Sequence, residues 1–191
     1  MPKSNIFIIS GPTGVGESAV TKAIIERFPN FTRLVTATSR PPRLNEKNGI
    51  DYYFFSKQAF ENEIKNGNIL EYTYVANRDT YYGTYEKDLE DKLAKGFGII
   101  INPDIVGTKF YKKNYNAVTI FIKPDSLENL KKRLLKRDPS ISDDELQKRL
   151  NNAENEITND EHFYDYSIIN EEGELEETIE KVAEIIQKNI K

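Results

Sequence analysis

The chain of 191 residues has no cysteine and no tryptophan, one histidine and one methionine. Without cysteine there are no disulfides and no thiolate metal sites. The single histidine, His162, excludes a multi-histidine metal centre. No apolar run approaches the roughly 20 residues of a membrane helix. "MPKSNIFIIS" has too short an apolar stretch for a signal peptide, because Gly11 and Pro12 interrupt it. The default expectation is a cytoplasmic protein. There is no positive excess either: the net charge of −4 gives no basic field for nucleic acid or a membrane surface. Hydrophobic residues at 38% and charged residues at 30% describe a soluble globular chain, long enough for one domain with appended subdomains.

What is present is an alternation of short apolar runs and helical patterns. Ile6–Ser10, Arg33–Ala37, Ile69–Val75, Gly98–Asn102, Ala117–Lys123 and Tyr166–Asn170 read as strands. Helical spacing follows the first through Val20, Ile24, Ile25 and Phe28, and Pro29 ends it. Further helices are expected in "SKQAFENEIKNG", in "YEKDLEDKLAKG", from Asp104, in "SLENLKKRLLKRD" with Leu127, Leu130, Leu134 and Leu135 on one face, in "SDDELQKRLNNAENEI" behind a Ser142–Glu145 capping box, and in "LEETIEKVAEIIQKNI". The order β-α-β, an interruption, then α-β-α-β-α-β-α predicts an α/β fold with a parallel sheet covered by helices on both faces.

The interruption is aromatic. Ten of the 21 aromatic residues lie within the 34 positions from Tyr52 to Tyr85. Beside the arginines of "TSRPPRLNEKNGI", they suit a pocket for a flat anionic ligand. They suit equally well a small aromatic core for an inserted subdomain; Tyr52 and Tyr82 could serve both.

Between the first strand and the first helix lies "GPTGVGES". Gly11, Gly14, Gly16 and Ser18 fit the phosphate-cradling pattern G-x-x-x-x-G-K-[ST], but Glu17 stands where the lysine belongs. The glycines let successive backbone N–H groups turn toward a phosphate, the helix N-terminus adds its donors, and the Ser18 hydroxyl suits Mg²⁺. An ionised carboxylate about 4 Å from a phosphate charge costs ~4 kcal/mol at an effective dielectric of ~20. Glu17 therefore has to swing out to solvent, pair with a cation or ligate Mg²⁺. Lys22 and Lys109 are the first candidates for a substitute cation.

Taken together, the loop, the Arg/Pro segment and the tyrosines resemble guanylate kinases nearly end to end. "TATSRPPRLNEKNGIDYYF" is similar to that family's nucleotide-monophosphate segment, "ILEYTYVANRDTYYGT" to its guanine-reading stretch with a Tyr-Tyr-Gly-Thr turn, and "KKRLLKRDPSISDDELQKRL" to its arginine-bearing lid. The resemblance implies a P-loop NTPase-like core (1–34, 86–123, 151–191), a GMP-binding subdomain (35–85) and a helical lid (124–150). It implies an ATP:GMP phosphotransferase using Mg²⁺, as a monomer or homodimer.

It also implies roles. Gly11, Pro12, Thr13, Gly14, Val15, Gly16, Glu17 and Ser18 would cradle ATP, with Ser18 on the metal. Arg40, Arg43, Tyr52 and Tyr82 would hold the GMP phosphate. Glu71 would accept from guanine N1 and N2; Thr36, Thr84 and Asp104 would contact the base or ribose. Arg133, Arg137 and Arg149 would close over the ATP phosphates, and Arg40 and Glu17 belong with them to the catalytic set. Departures from the family pattern are Glu17, Asn102 for the first Asp of an Asp-x-Asp segment, Val106 for a usual Gln, and a connection through "ANRD" about two residues longer than usual. The alternative on the same fold is a weak or inactive GMP/GDP-binding protein, or a phosphopeptide-binding module.

Overall fold

In a computed structural model, which describes residues 4–190, the first half of the chain runs β1 (Ile6–Ser10), α1 (Glu17–Arg27), β2 (Phe31–Arg33), β3 (Ala37–Thr38), β4 (Tyr53–Phe54), α2 (Lys57–Lys65), β5 (Ile69–Val75), β6 (Thr80–Tyr85) and α3 (Glu86–Ala94). The second half runs β7 (Gly98–Ile101), α4 (Ile105–Tyr115), β8 (Val118–Pro124), α5 (Leu127–Arg137), α6 (Asp143–Asn159), β9 (Tyr166–Asn170) and α7 (Leu175–Asn189).

The expected parallel sheet is there, in the order β2-β7-β1-β8-β9, every neighbour parallel. Its central strands β7, β1 and β8 read as nearly continuous apolar runs because both faces are covered. On β1, Phe7 and Ile9 point into a core built with Val20 and Ile24 of α1 and Val182 and Ile186 of α7. Ile6 and Ile8 point the other way, against Leu89 of α3 and Tyr111 of α4.

The run Arg33–Ala37, expected as one strand, is split. β2 stops at Arg33, and Ala37 already belongs to a second sheet. Between them the buried Asp88 carboxylate, from α3, accepts from the Val35 amide at 2.9 Å and takes it out of any ladder. The second sheet has the order β4-β3-β6-β5. Its strand β6 contains the Tyr-Tyr-Gly-Thr stretch expected as a turn. Half of the aromatic cluster turns out to be a core: Tyr53, Phe55, Phe60, Tyr81 and Tyr85 pack around Ala37 and Ile69, with Phe60 stacked on Tyr81 at 5.3 Å.

Helices α5 and α6 share a separate small core of Leu130, Leu134, Leu146 and Ala153. Leu135, expected on that face, is exposed instead. Ser142 caps α6 by accepting from the Glu145 amide at 3.3 Å. The helix then continues through Asn159, which carries Glu156 and Asp160 back toward the end of β1.

Candidate active site

The glycine-rich loop is held open by its backbone. Gly14 and Gly16 have φ of 97° and 102°, a left-handed conformation that a side chain strains. A Cβ on Gly11 would lie 2.1 Å from the Ile122 carbonyl oxygen. The loop is pinned from the far edge of the sheet: Asn170 Nδ2 donates to the Val15 carbonyl at 2.7 Å, and Thr178 Oγ1 donates to Asn170 Oδ1 at 3.0 Å. Thr13 stands exposed at the loop's tip, Pro12 is buried beneath it, and Ser18 opens α1 with an exposed side chain.

Among the described residues, Glu17 neither swings out to solvent nor forms an ion pair with a cation. It is half-buried and turns into a cavity of about 250 Å³, where Asp104, Glu156 and Asp160 are further walls. Burial, then the Glu156 carboxylate, push its carboxyl up to about 8, against the pull of Arg33. At neutral pH the group is therefore mostly protonated and uncharged. Glu156 is pushed up to about 7 by burial and by Asp160 and Asp104. Lys22 pairs with Glu26 on the exposed side of α1, and Lys109 lies over the Phe163 ring; neither lines this cavity. His162 is exposed on a one-turn helix.

Asn102 has a local explanation. Its Nδ2 donates to the Ile9 carbonyl (2.8 Å) and to Thr21 Oγ1 (2.9 Å), tying β7 to β1 and α1. A carboxylate has no proton to give the Ile9 carbonyl. Val106, two residues beyond Asp104, is exposed.

A second cavity, about 220 Å³, lies between the two sheets. Thr36, Tyr52, Glu71, Tyr82 and Asp104 all line it. Glu71 accepts from Thr84 Oγ1 at 2.7 Å, and Tyr111 donates to the same Thr84 oxygen at 2.9 Å. Thr84 is fully buried, so its hydroxyl acts on the cavity through the carboxylate it orients. Burial pushes Glu71 up to about 7, with Asp104 adding and the Thr84 hydrogen bond opposing. Asp104 caps α4 by accepting from the Val106 and Gly107 amides at 3.0 and 3.1 Å.

Arg40 is fixed beside this cavity. Its two Nη atoms donate to the Glu46 carboxylate at 2.6 and 2.7 Å, and its guanidinium lies 5.1 Å from the Tyr52 ring. The pairing, with a hydrogen bond donated by the Arg43 backbone N–H, holds the Glu46 carboxyl down to about 2. Arg40 Nε is buried without a partner.

A wider cleft of about 640 Å³ runs from Thr13 past Arg43, Arg78, Arg137, Lys148 and Arg149. Among the described residues Glu145 is the only carboxylate on its walls, accepting from Arg149 Nε at 2.9 Å and lying 3.8 Å from Arg78. Arg133, by contrast, is docked on Glu172 (2.7 Å) and the Asn170 carbonyl (3.0 Å), outside that cleft's walls. Sequence reasoning passed over Asn170, Tyr111, Glu46, Glu156 and Arg78. Only Arg78 carried a signal, the added length of its connection.

A guanylate kinase family model matches residues 3–189. The chain is 38% identical over 185 residues to a guanylate kinase of Rickettsia felis, covering 96% of this chain and 93% of that protein. It is 38% identical over 187 residues to one of Clostridium tetani, covering 97% and 86%. The crystal structure of a guanylate kinase from Anaplasma phagocytophilum superposes with a TM-score of 0.75 at 30% identity, covering all of this chain and 88% of that one. With the family model spanning nearly the whole chain, relatives above 30% identity along its length and a matching fold, the chain belongs to the guanylate kinase family.

Proposed function

We propose that this chain transfers the γ-phosphoryl group of ATP to GMP, giving ADP and GDP. The observation that carries the reading is Glu71, oriented by Thr84 and Tyr111 in a cavity that shares Asn102, Pro103 and Asp104 as walls with the cavity beside Gly11 and Glu17. A carboxylate there accepts from guanine N1 and N2, donors that adenine lacks. Tyr52, Tyr82, Arg40 and Arg43 gather at the phosphate end. A phosphate arriving at Arg40 meets a guanidinium already aimed by Glu46, with Nε still to be satisfied.

The second sheet is then the acceptor subdomain (35–85), and α5 with the start of α6 the lid (124–150). The GMP phosphate oxygen attacks the γ-phosphorus in line, and no protein nucleophile is needed. The chain's work is positioning and charge neutralisation: loop amides on the donor phosphates, and Arg43, Arg137 and Arg149 across the cleft. Closure of the cleft excludes water as a competing acceptor.

Mg²⁺ fits as an ion carried in by the donor phosphates. Ser18 offers an exposed hydroxyl at the first turn of α1, and no group of three acidic or histidine side chains among the described residues forms a metal cage of its own. When bound it offsets phosphate charge.

A second reading, a GMP-binding protein with slow transfer, is favoured by one observation: Glu17 faces Glu156 with no cation lining the same cavity. Coupled measurement of ADP release with and without GMP separates the two. Release that depends on GMP and not on AMP supports the kinase; tight GMP binding without release supports the binder.

A further inference from the structure

Strand β5 alternates. Tyr72 and Tyr74 face the aromatic side, contacting Tyr81 at 5.9 and 4.7 Å. Glu71, Thr73 and Val75 face the acceptor cavity and line it. A strand puts residues i and i+2 on one face about 7 Å apart. Thr73 therefore stands one step from the Glu71 carboxylate, along the wall toward the connection with β6. Its partner across the ladder is Tyr82, which lines the same cavity. Glu71 marks the end that reads the base, and Tyr82 the end that meets the phosphate.

The Thr73 hydroxyl oxygen is buried and has no hydrogen-bond partner. Its same-face neighbour Glu71 is otherwise engaged. Glu71 is held by Thr84, and the Thr84 hydroxyl is shared between Glu71 and Tyr111. A buried hydroxyl left unpaired costs about 1–3 kcal/mol, and valine would fill the same space on a strand without that cost. Threonine at this position makes physical sense if something entering the cavity completes it.

We infer that the Thr73 hydroxyl is a further specificity-determining contact of the acceptor site, hydrogen-bonding the nucleoside part of the bound nucleoside monophosphate between the atoms read by Glu71 and the phosphate. This rests on the acceptor reading of the cavity. The phosphate itself is assigned elsewhere: the arginines that gather for it, Arg40 and Arg43, are not among the cavity's lining residues. A hydroxyl both donates and accepts, so it suits the mixed edge of a purine nucleoside better than an anion.

The test compares the parent with Thr73→Val and Thr73→Ser by calorimetry, using GMP and guanosine as ligands, and records thermal unfolding without ligand. Thr73→Val should lose about three- to tenfold in affinity for GMP and for guanosine alike, the range of one neutral hydrogen bond. Its ligand-free unfolding temperature should be unchanged or higher, because an unsatisfied hydroxyl is gone. Thr73→Ser should restore most of the affinity. Thr73→Val binding guanosine as tightly as the parent overturns the inference. So does a loss confined to GMP, which would place the hydroxyl on the phosphate, or a loss of affinity that tracks a fall in unfolding temperature. If the parent binds neither ligand, the acceptor reading fails and this inference with it. If the parent binds both and Thr73→Val matches it, only this inference fails.

Discussion

Asn102 and Glu17 show that a departure from a family pattern can be answered by its neighbours. Asn102 spends its amide on a backbone carbonyl, so Asn102→Asp should not restore anything. It should lower stability by about 1–3 kcal/mol through the unpaired Ile9 carbonyl, read as a lower denaturant midpoint. Glu17 was expected to be charged and therefore to turn out, pair or bind metal; its burial beside Glu156 makes protonation the easier course. Sequence alone hides this, because Glu156 is 139 positions away. Glu17→Lys places a cation against Glu156 and Asp160 and next to the donor phosphates. Steady-state kinetics should show turnover at least tenfold faster, about 1.4 kcal/mol of barrier, with GMP affinity within twofold. No gain in turnover would show that another cation already fills the role, and Arg78 is then the first to remove. At Glu71, the ionised form is the one that accepts two guanine donors, and its carboxyl titrates near 7 without ligand. GMP affinity should therefore fall as pH drops below 7, approaching tenfold per pH unit. Glu71→Gln should bind GMP more weakly and lose that pH dependence.

At the scale of elements, the strand–loop–helix turn at Gly11–Ser18 was legible from its glycines, two of which adopt positive φ. What holds the loop in place was not. Asn170 sits in "YSIIN", which reads only as a strand, and its bond to the Val15 carbonyl spans 155 positions. Asn170→Ala should weaken ATP binding several-fold while leaving GMP affinity nearly unchanged, as separate titrations of the two nucleotides would show. The long strands were readable as apolar runs. β3 and β4, two residues each, carry too little pattern. The turn expected at Tyr81–Thr84 came from the family resemblance; the segment is strand, and Gly83 is there for closeness, because a Cβ would lie 2.5 Å from the Glu71 carbonyl oxygen. The Arg78–Glu145 pair joins the β5–β6 connection to the lid helix. Both partners are partly exposed, so Glu145→Gln should change stability by less than about 1 kcal/mol.

Across the whole molecule, three carboxyls hold their protons more tightly folded than unfolded: Glu71 and Glu156 at about 7, and Glu17 at about 8. The unfolded chain releases these protons near pH 4.5, so the stability they contribute is full below that value and is lost as pH rises toward 8. Acidic loops usually give the reverse, and Glu46 does so only below its ordinary range, down to about 2. Denaturant unfolding of the ligand-free protein should thus give a higher midpoint at pH 5.5 than at pH 8. Nucleotide binding should narrow the gap, since guanine donors favour ionised Glu71. Stability independent of pH over that interval would mean the cavities admit enough water to leave these groups near their ordinary range.

The second sheet enters the chain at Ala37 and leaves near Gly83, and these two residues are paired in the ladder. That has a consequence for the order of folding. Closing β2 on β7 from an unfolded chain means closing a loop of more than sixty residues, from Arg33 to Gly98. If the Ala37–Gly83 pairing forms first, the loop shrinks to fewer than twenty effective residues, easing closure by about 1 kcal/mol. The inserted sheet then folds early, and the parallel sheet assembles around its joined ends. Gly83→Ala, which pushes β6 off β5, should slow refolding as well as destabilise the product. A destabilised product that refolds at the parent rate would place the insertion's closure after the rate-limiting step.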